Sequence, residues 1–213
     1  MQNRRAIRRD FFVFDAGKNT YLASSLPGMT ETVFSLLASR NTEHSLFKEH
    51  HSDASIELTD RKKLRLDTCS FFRASTVQDR SFIAFVHQDR DEKTIELVGT
   101  DDLRRWKSHR TLDHFSRPPV FVDLPLLKRR RRIGAFLSIG RKHIGGFIGN
   151  KDFDDWEDQE TVLEGRSSSF DATHLEPIAV TSIPSGILLL YSAKNNENQL
   201  SIGAAIFDPN DLT

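Results

Sequence analysis

The hydrophobic positions of the chain fall in short runs separated by polar or glycine-containing segments. Clear examples are Ser81–Gln88, Ile133–Ile139 and Gly186–Ser192. Short runs rich in β-branched and aromatic residues, with turn residues between them, are typical of strands. No long segment has the 3.6-residue period of a helix, although Glu31–Arg40 fits a short helix as well as a strand. The pattern predicts an all-β fold.

A tryptophan motif occurs twice, as Asp102–Trp106 and as Asp152–Trp156, and both copies have the form Asp-[Leu/Phe]-x-x-Trp. Strands are predicted on both sides of each copy. They are Ser70–Ala74, Ser81–Gln88, Thr94–Gly99 and Lys107–Leu112 for the first copy, and Pro119–Leu127, Ile133–Ile139, His143–Gly149 and Glu157–Leu163 for the second. Four short strands per repeated unit are the sequence pattern of a propeller blade. In such a blade the aspartate is expected to cap a tight turn, and the tryptophan to pack between neighbouring sheets.

The two ends of the chain fit the same pattern. Predicted strands of the first unit are Phe11–Phe14, Thr20–Ser24, Thr32–Ala38 and Ser45–Lys48, and those of the last are Ile178–Ser182, Gly186–Ser192 and Leu200–Phe207. The fourth strand of the last unit is either missing or supplied by the N-terminus. We therefore expect one β-propeller domain over residues 1–213, with about four blade-like units. Within it, 1–60 is a divergent N-terminal blade region and 61–213 contains more regular blades.

Composition narrows the class of protein only a little. Thirty basic and thirty acidic residues give a formal net charge of zero, which favours neither a nucleic-acid nor a membrane partner. Cys69 is the only cysteine, so neither an intrachain disulfide nor a zinc–thiolate cluster can form. The basic N-terminus is not followed by the apolar segment of a secretory signal, and no run approaches the roughly 18 apolar residues of a membrane span. A cytoplasmic protein without a membrane partner is expected.

Local charge offers one alternative. Five consecutive basic residues, Lys128–Arg132, fit either a nucleic-acid patch or an exposed turn at the tip of a hairpin. No aromatic residues flank the run to stack on bases, so a nucleic-acid partner is not expected.

The C-terminal part of the chain resembles the closing region of glycoside hydrolase family 130, the mannoside phosphorylases and hydrolases. The hydrolase branch has an arginine, then phenylalanine-aspartate, then a glutamate that leads into a proline-rich strand. A glycine-aliphatic-tyrosine strand and a glycine-rich strand ending in aspartate-proline follow. The matching residues are Arg166, Phe170–Asp171, Glu176–Pro177, Gly186–Tyr191 and Gly203–Pro209. The likeness covers about residues 65–213 and implies a propeller of the five-bladed glycosidase type.

The chain departs from the family at several places. Pro177-Ile178-Ala179 stands where the family has glycine-proline-proline, and Ser192 stands where it has asparagine or histidine. The acidic motif glutamate-aspartate-proline-arginine has only Asp67 as a match. The chain is also shorter than a usual member, with the missing length on the N-terminal side.

The resemblance implies a pair of catalytic carboxyl groups. Glu176 is the candidate base and Asp67 the candidate acid, both placed before the first strand of a blade, where they could converge on the central channel. Inverting glycosidases need two such groups about 6.5–9.5 Å apart, with a water molecule between the base and the sugar. The structural alternatives are a solvated loop carboxylate for Glu176 and a turn cap for Asp67.

The same resemblance implies the substrate contacts. Arg166 and Asp171 would orient sugar hydroxyls or, in a phosphorylase, help to bind phosphate; a plain ion pair at the surface is the alternative. His174, Tyr191 and Asn195 complete the expected substrate-binding set.

The predicted function is an inverting glycoside hydrolase acting on a β-mannoside-like oligosaccharide, with no cofactor and no metal. A phosphate-dependent mannoside phosphorylase is the second possibility. A propeller that binds sugar or protein without catalysis is the third. Only Arg166, His174 and Lys194 are basic near Glu176 in the sequence, and this favours hydrolysis over phosphorolysis.

Overall fold

The computed structural model describes the backbone of residues 11–16, 19–25, 33–40, 48–57, 68–89, 91–127, 130–157 and 160–208, and the side chains of 68–88, 91–124, 132–157 and 160–208. The strands in these ranges are β1 (Phe11–Ala16), β2 (Asn19–Ser25), β3 (Val33–Arg40), β4 (Lys48–Glu57), β5 (Cys69–Val77), β6 (Arg80–Asp89), β7 (Glu92–Thr100), β8 (Arg105–Thr111), β9 (Val120–Leu127), β10 (Arg130–Ile139), β11 (His143–Asn150), β12 (Glu160–Glu164), β13 (His174–Ile183), β14 (Gly186–Lys194) and β15 (Leu200–Phe207). In the part of the chain described, no helix is long and apolar enough to cross a membrane.

The strands form antiparallel units in chain order. The units are β1–β4, β5–β8, β9–β12 and β13–β15, and a short parallel ladder between Ser55–Glu57 and Arg105–Lys107 joins the first two at their outer strands. The first strands of successive units, β1, β5, β9 and β13, lie next to one another, and β5 also lies near β13. This arrangement of sheets around a centre lined by their first strands is that of a propeller. The predicted all-β propeller with about four blade-like units is confirmed.

Alternation along the middle strands builds two layers of core. In β10, Ile133, Ala135 and Leu137 belong to the apolar cluster between the second and third units. Phe136, between them in sequence, belongs to the cluster between the third and fourth units. Successive side chains of a strand point to opposite faces, so one strand supplies both layers. The third unit is therefore covered on both faces, as a blade inside a propeller must be.

The two tryptophan turns use the same backbone but different caps. Leu103 and Phe153 both have positive φ, 60° and 61°. Each tryptophan Nε1–H donates to the carbonyl oxygen of that residue, at 3.2 Å for Trp106 and 3.1 Å for Trp156. Asp102 caps the first turn as predicted, since its Oδ1 accepts the N–H groups of Arg104 and Arg105 at 2.9 Å.

The cap predicted for Asp152 is wrong. In the second turn the side chain of Asn150 takes that role, because its Oδ1 accepts the N–H of Asp152 at 2.9 Å and that of Asp154 at 3.3 Å. An Asx turn can start two residues earlier when a side-chain carbonyl is available there.

The first strand of the last unit is longer than predicted. The sequence predicts a strand over Ile178–Ser182, whereas β13 begins at His174 and pairs with the end of β14. The register shifts between Pro177 and Ala179, and this irregularity accommodates a proline that has no N–H to donate to the ladder. Glu176 therefore lies within a strand and not in a loop before it. Of the predicted strand Ser45–Lys48, only Lys48 lies in the described residues, where it starts β4.

The last sheet leaves one apolar face open to solvent in the part of the chain described. Leu200, Ile202 and Ile206 alternate along β15 and are 67%, 73% and 58% exposed. Leu190, which pairs with Ala204 on the same face, is also exposed. We call this surface the outer face of the last sheet.

Gly149 gives a test of the inter-sheet packing. A Cβ atom at Gly149 would lie 2.5 Å from Cε3 of Trp156. Replacing Gly149 with alanine should therefore displace the indole and destabilise the protein by about 1–3 kcal/mol. Denaturant unfolding would measure the loss, and tryptophan fluorescence would report the displaced ring. An unchanged unfolding midpoint would show that the indole does not pack as described.

Candidate functional site

Glu176 lies in β13 at the centre of a group of polar residues from three units. Its Oε1 accepts a hydrogen bond of 2.6 Å from Arg73, in β5. Its Oε2 lies 2.6 Å from Ser138 Oγ, in β10, and 3.2 Å from a guanidinium nitrogen of Arg117, in the segment before β9. The side chain is 17% exposed, so it is paired and still reachable by solvent. We call these residues, together with His174, the Glu176 centre.

The local chain explains how each partner reaches Glu176. The β5–β6 ladder is irregular between Ser70 and Arg73, and such a bulge re-aims the side chains near it. Ser138 is 2% exposed, and its Oγ lies between two acceptors, Glu176 Oε2 and the carbonyl oxygen of Leu175 at 2.8 Å. His174, two residues before Glu176 on the same strand, places Nε2 3.9 Å from Oε2.

Positive charge exceeds negative charge at this centre. Two guanidinium groups surround one carboxylate, and His174 adds a further positive charge when protonated. Arg73 is 18% exposed, and its buried Nε–H has no hydrogen-bond partner among the described residues. Arg117 is 45% exposed and so has donors available to a ligand. The centre can bind an anionic or hydroxyl-rich ligand next to a carboxylate.

Arg166 and Asp171 bind each other. Arg166 donates to Oδ2 of Asp171 from Nε at 3.1 Å and from a terminal nitrogen at 3.0 Å, and its Nε and backbone N–H each donate to Oδ1 at 3.3 Å. Asp171 is 1% exposed, whereas the side chain of Arg166 is 63% exposed. Burial raises the pKa of Asp171, but the hydrogen bonds and charge of Arg166 outweigh it, and the net pKa is lowered. The pair is not a simple surface ion pair, because one partner is fully buried.

The arginine of this pair also extends an aromatic stack. The Arg166 guanidinium lies 5.4 Å from the centroid of the Phe170 ring, and that ring stacks on Tyr191 at 6.3 Å. Tyr191 is 4% exposed and belongs to the core between the third and fourth units. Its position is that of a packing residue that supports Phe170 and Arg166.

The structure brings together only some of the residues predicted for the site. His174 lies at the Glu176 centre. Asn195 is occupied in the turn between β14 and β15, where its Oδ1 accepts the N–H groups of Glu197 and Gln199, both at 2.9 Å. Asp67, the predicted acid, lies outside the described residues.

The basic residues around Glu176 are only partly those that lie near it in the sequence, of which His174 is present. Arg73 and Arg117 contact Glu176, whereas Arg166 binds Asp171. The sequence contains little sign of Arg73, Arg117 or Ser138 as partners of Glu176, because all three are far from it along the chain. An arginine in an otherwise half-buried first strand was the one available indication for Arg73.

A metal site and a nucleic-acid patch receive no support from the described residues. The described residues contain no group of three His, Cys, Asp or Glu side chains that could bind a metal ion. Of the basic run Lys128–Arg132, only the side chain of Arg132 is described, and it forms an ion pair with Glu157. The backbone of its last three residues, Arg130–Arg132, is described and begins β10.

No family model and no curated protein sequence matches this chain. Solved structures do. A glycosyl hydrolase from Bacteroides ovatus is 13% identical, with a TM-score of 0.64 over 95% of this chain and 68% of its own. A structure from work on GH130 glycoside hydrolases that target β-1,2-mannosidic linkages in Candida mannan is 13% identical, with a TM-score of 0.67 over 95% and 67%. β-1,2-Mannobiose phosphorylase from Listeria innocua is 14% identical, with a TM-score of 0.56 over 99% and 76%.

These comparisons establish the fold. The chain has the architecture of the propeller glycosidases, including hydrolases and a phosphorylase, and the expected likeness to family 130 structures is confirmed at the level of the fold. At this sequence identity, chemistry must be argued from the residues of the site.

The Arg166–Asp171 pair predicts an asymmetry in stability. Replacing Arg166 with methionine leaves a buried carboxylate without its counter-ion, whereas replacing Asp171 with asparagine leaves an arginine that water can solvate. The melting temperature should therefore fall further in Arg166→Met than in Asp171→Asn. Thermal unfolding of the two variants measures this, and equal losses would contradict it.

The same pair predicts a loss of stability in acid. The pKa of Asp171 is lowered from its ordinary value of 3.8, so the unfolded chain takes up the proton at a higher pH than the folded chain does. The stability that the pair contributes is present above the unfolded pKa and is lost as pH falls through the folded one. Asp171→Asn should unfold with a shallower pH dependence than the parent below about pH 4, measured with denaturant at each pH.

Proposed function

We propose that this protein binds a β-mannoside-like oligosaccharide at the Glu176 centre and cleaves a glycosidic bond with inversion. The observation that supports this most is the position of Glu176. It is a solvent-reachable carboxylate on an inner strand, fixed by Arg73 and Ser138 from two other units. A carboxylate aimed in this way, on a propeller glycosidase fold, suits the role of a catalytic base.

In this proposal Glu176 takes a proton from a water molecule as that water attacks the anomeric carbon. The leaving oxygen takes up a proton from a second carboxyl group on the other side of the sugar. Asp67 remains the candidate for that acid. Ser138, whose hydroxyl contacts Oε2, positions the carboxylate, and His174 lies close enough to contact a bound sugar.

The remaining residues predicted to contact the substrate differ in whether a ligand can reach them. Arg166 has exposed donors, and we propose that it contacts sugar hydroxyls. Asp171 is buried, and it acts through Arg166 by fixing the direction of the guanidinium. Tyr191 and Asn195 support the loop and turn around them.

The proposed substrate is an oligosaccharide and the proposed location is the cytoplasm.

A specific observation favours a second candidate, phosphorolysis. Arg73, Arg117 and His174 give the centre the excess of positive charge that a phosphate nucleophile needs. Phosphate is already anionic at neutral pH, so it would attack the sugar without a base. Arg117, which is 45% exposed, would be its first contact.

Turnover distinguishes the candidates. The purified chain is incubated with a panel of β-linked manno-oligosaccharides, each with and without inorganic phosphate, and the products are separated. Free sugar formed without phosphate supports hydrolysis, and sugar phosphate formed only with phosphate supports phosphorolysis. Binding without any product would favour a sugar-binding propeller. If the chain neither binds the oligosaccharides nor forms a product, the proposal is overturned.

Glu176→Gln is the critical variant for hydrolysis. Glutamine keeps the shape of the side chain but cannot accept the proton, so kcat should fall about 10²–10⁴-fold. Binding of the oligosaccharide should survive, since most of the surrounding donors remain. Glu160→Gln, the same change at an exposed residue of β12, the outermost strand of the third unit, is the control. If Glu176→Gln retains full hydrolytic activity, Glu176 is not the base.

A further inference from the structure

A second feature of β5 lies beside the Glu176 centre. Phe71 is 60% exposed, which is unusual for phenylalanine, although it lies in an inner strand. It precedes Arg73, the residue that donates to Glu176, by two positions. The reach of the chain places the Cα atoms of the two residues at most about 7 Å apart. Phe71 and Arg73 lie in the same irregular part of β5, so the exposed ring is near the residue that holds Glu176.

The backbone at Phe71 is strained. Its φ is 57°, in the left-handed region that bulky side chains avoid. The residue lies inside the irregular part of the β5–β6 ladder between Ser70 and Arg73. Strain of this kind persists where the surrounding structure enforces it, and it is concentrated at ligand-binding sites.

Packing does not account for the exposed ring. The neighbouring Phe72 lies 5.5 Å from Phe85, which is fully buried, so the interior position at this bulge is filled by Phe72. The bulge thus presents two successive phenylalanines differently, one to the core and one to solvent. An exposed aromatic ring costs the protein hydration free energy, and a ligand that covers it recovers that cost.

We propose that Phe71 is a stacking site for a sugar ring, adjacent to the bond that the Glu176 centre would cleave. One face of a pyranose ring consists of C–H groups, which pack on the negative face of an aromatic ring while the hydroxyls at the edge remain free for Arg117 and His174. The site would select a sugar with such an apolar face over a ligand of charge alone. This inference rests on the proposed function.

The test uses the full chain and four variants: Phe71→Ala, Phe71→Trp, Phe71→Gly and, as the matched control, Ile202→Ala. Ile202 is 73% exposed and lies on the outer face of the last sheet, away from β5. Binding of each member of the manno-oligosaccharide panel, beginning with β-1,2-mannobiose, is measured by titration calorimetry. Turnover and melting temperature are measured in parallel.

Phe71→Ala should weaken binding about tenfold, as expected for the loss of one aromatic contact, and should raise KM with little change in kcat. Phe71→Trp should bind within about threefold of the parent, since the larger ring offers the same face. Phe71→Gly should bind as weakly as the alanine variant and melt about 2–4 °C higher, because glycine relieves the positive φ. Ile202→Ala should bind normally.

Each contrary result has a distinct meaning. Turnover that is normal in Phe71→Ala overturns the stacking site and leaves the proposed function standing. Binding that depends on Phe71 without turnover supports the stacking site and contradicts cleavage. No binding of any panel member by the parent overturns both. A lower melting temperature in Phe71→Gly would show that the ring serves packing, which also overturns the proposal.

Discussion

A carboxylate that is mostly withdrawn from water must be paired, and in this protein the pairing of Glu176 connects three sheets. Arg73 comes from the second unit, Ser138 from the third and Glu176 from the fourth. Removing one partner of such a pair leaves the other desolvated and unpaired, which costs free energy. That penalty maintains the geometry in addition to the attraction between the charges. The polar centre and the relative placement of the units therefore depend on each other.

Around this centre the core is built from repetition. Each antiparallel unit pairs only neighbouring strands of the sequence, and the middle strands supply side chains to the layers on both sides. Glycine in β11 makes room for the tryptophan of the following turn, as at Gly149 and Trp156. Local hairpins that share a core between layers allow the sequence to vary widely while the architecture is kept. This agrees with the likeness to solved glycosidases, which is clear in structure although the sequence identity is low.

The same division explains what could be predicted from the sequence. Strands and units follow from period-two patterns and turn residues, which are local, and they were predicted well. The donors of Glu176 were not predicted, because they come from 103, 59 and 38 residues away in the chain. The Arg166–Asp171 pair, five residues apart, was visible as a possible pair but not as a buried one. The position of Glu176 within β13 was not predicted either. Pro177 disfavours a strand, and only the irregular register beside it allows the strand to continue.

The outer face of the last sheet also affects how the molecule behaves in solution. A formal net charge of zero gives copies of the chain no long-range repulsion at neutral pH. Contiguous exposed aliphatic side chains on such a molecule are a colloidal liability, and salts such as sulfate strengthen their attraction by being excluded from the surface. A pH away from neutrality restores net charge and with it the repulsion between copies. We therefore expect solubility near neutral pH to depend on the exposed side chains of β15, whereas activity depends on the Glu176 centre.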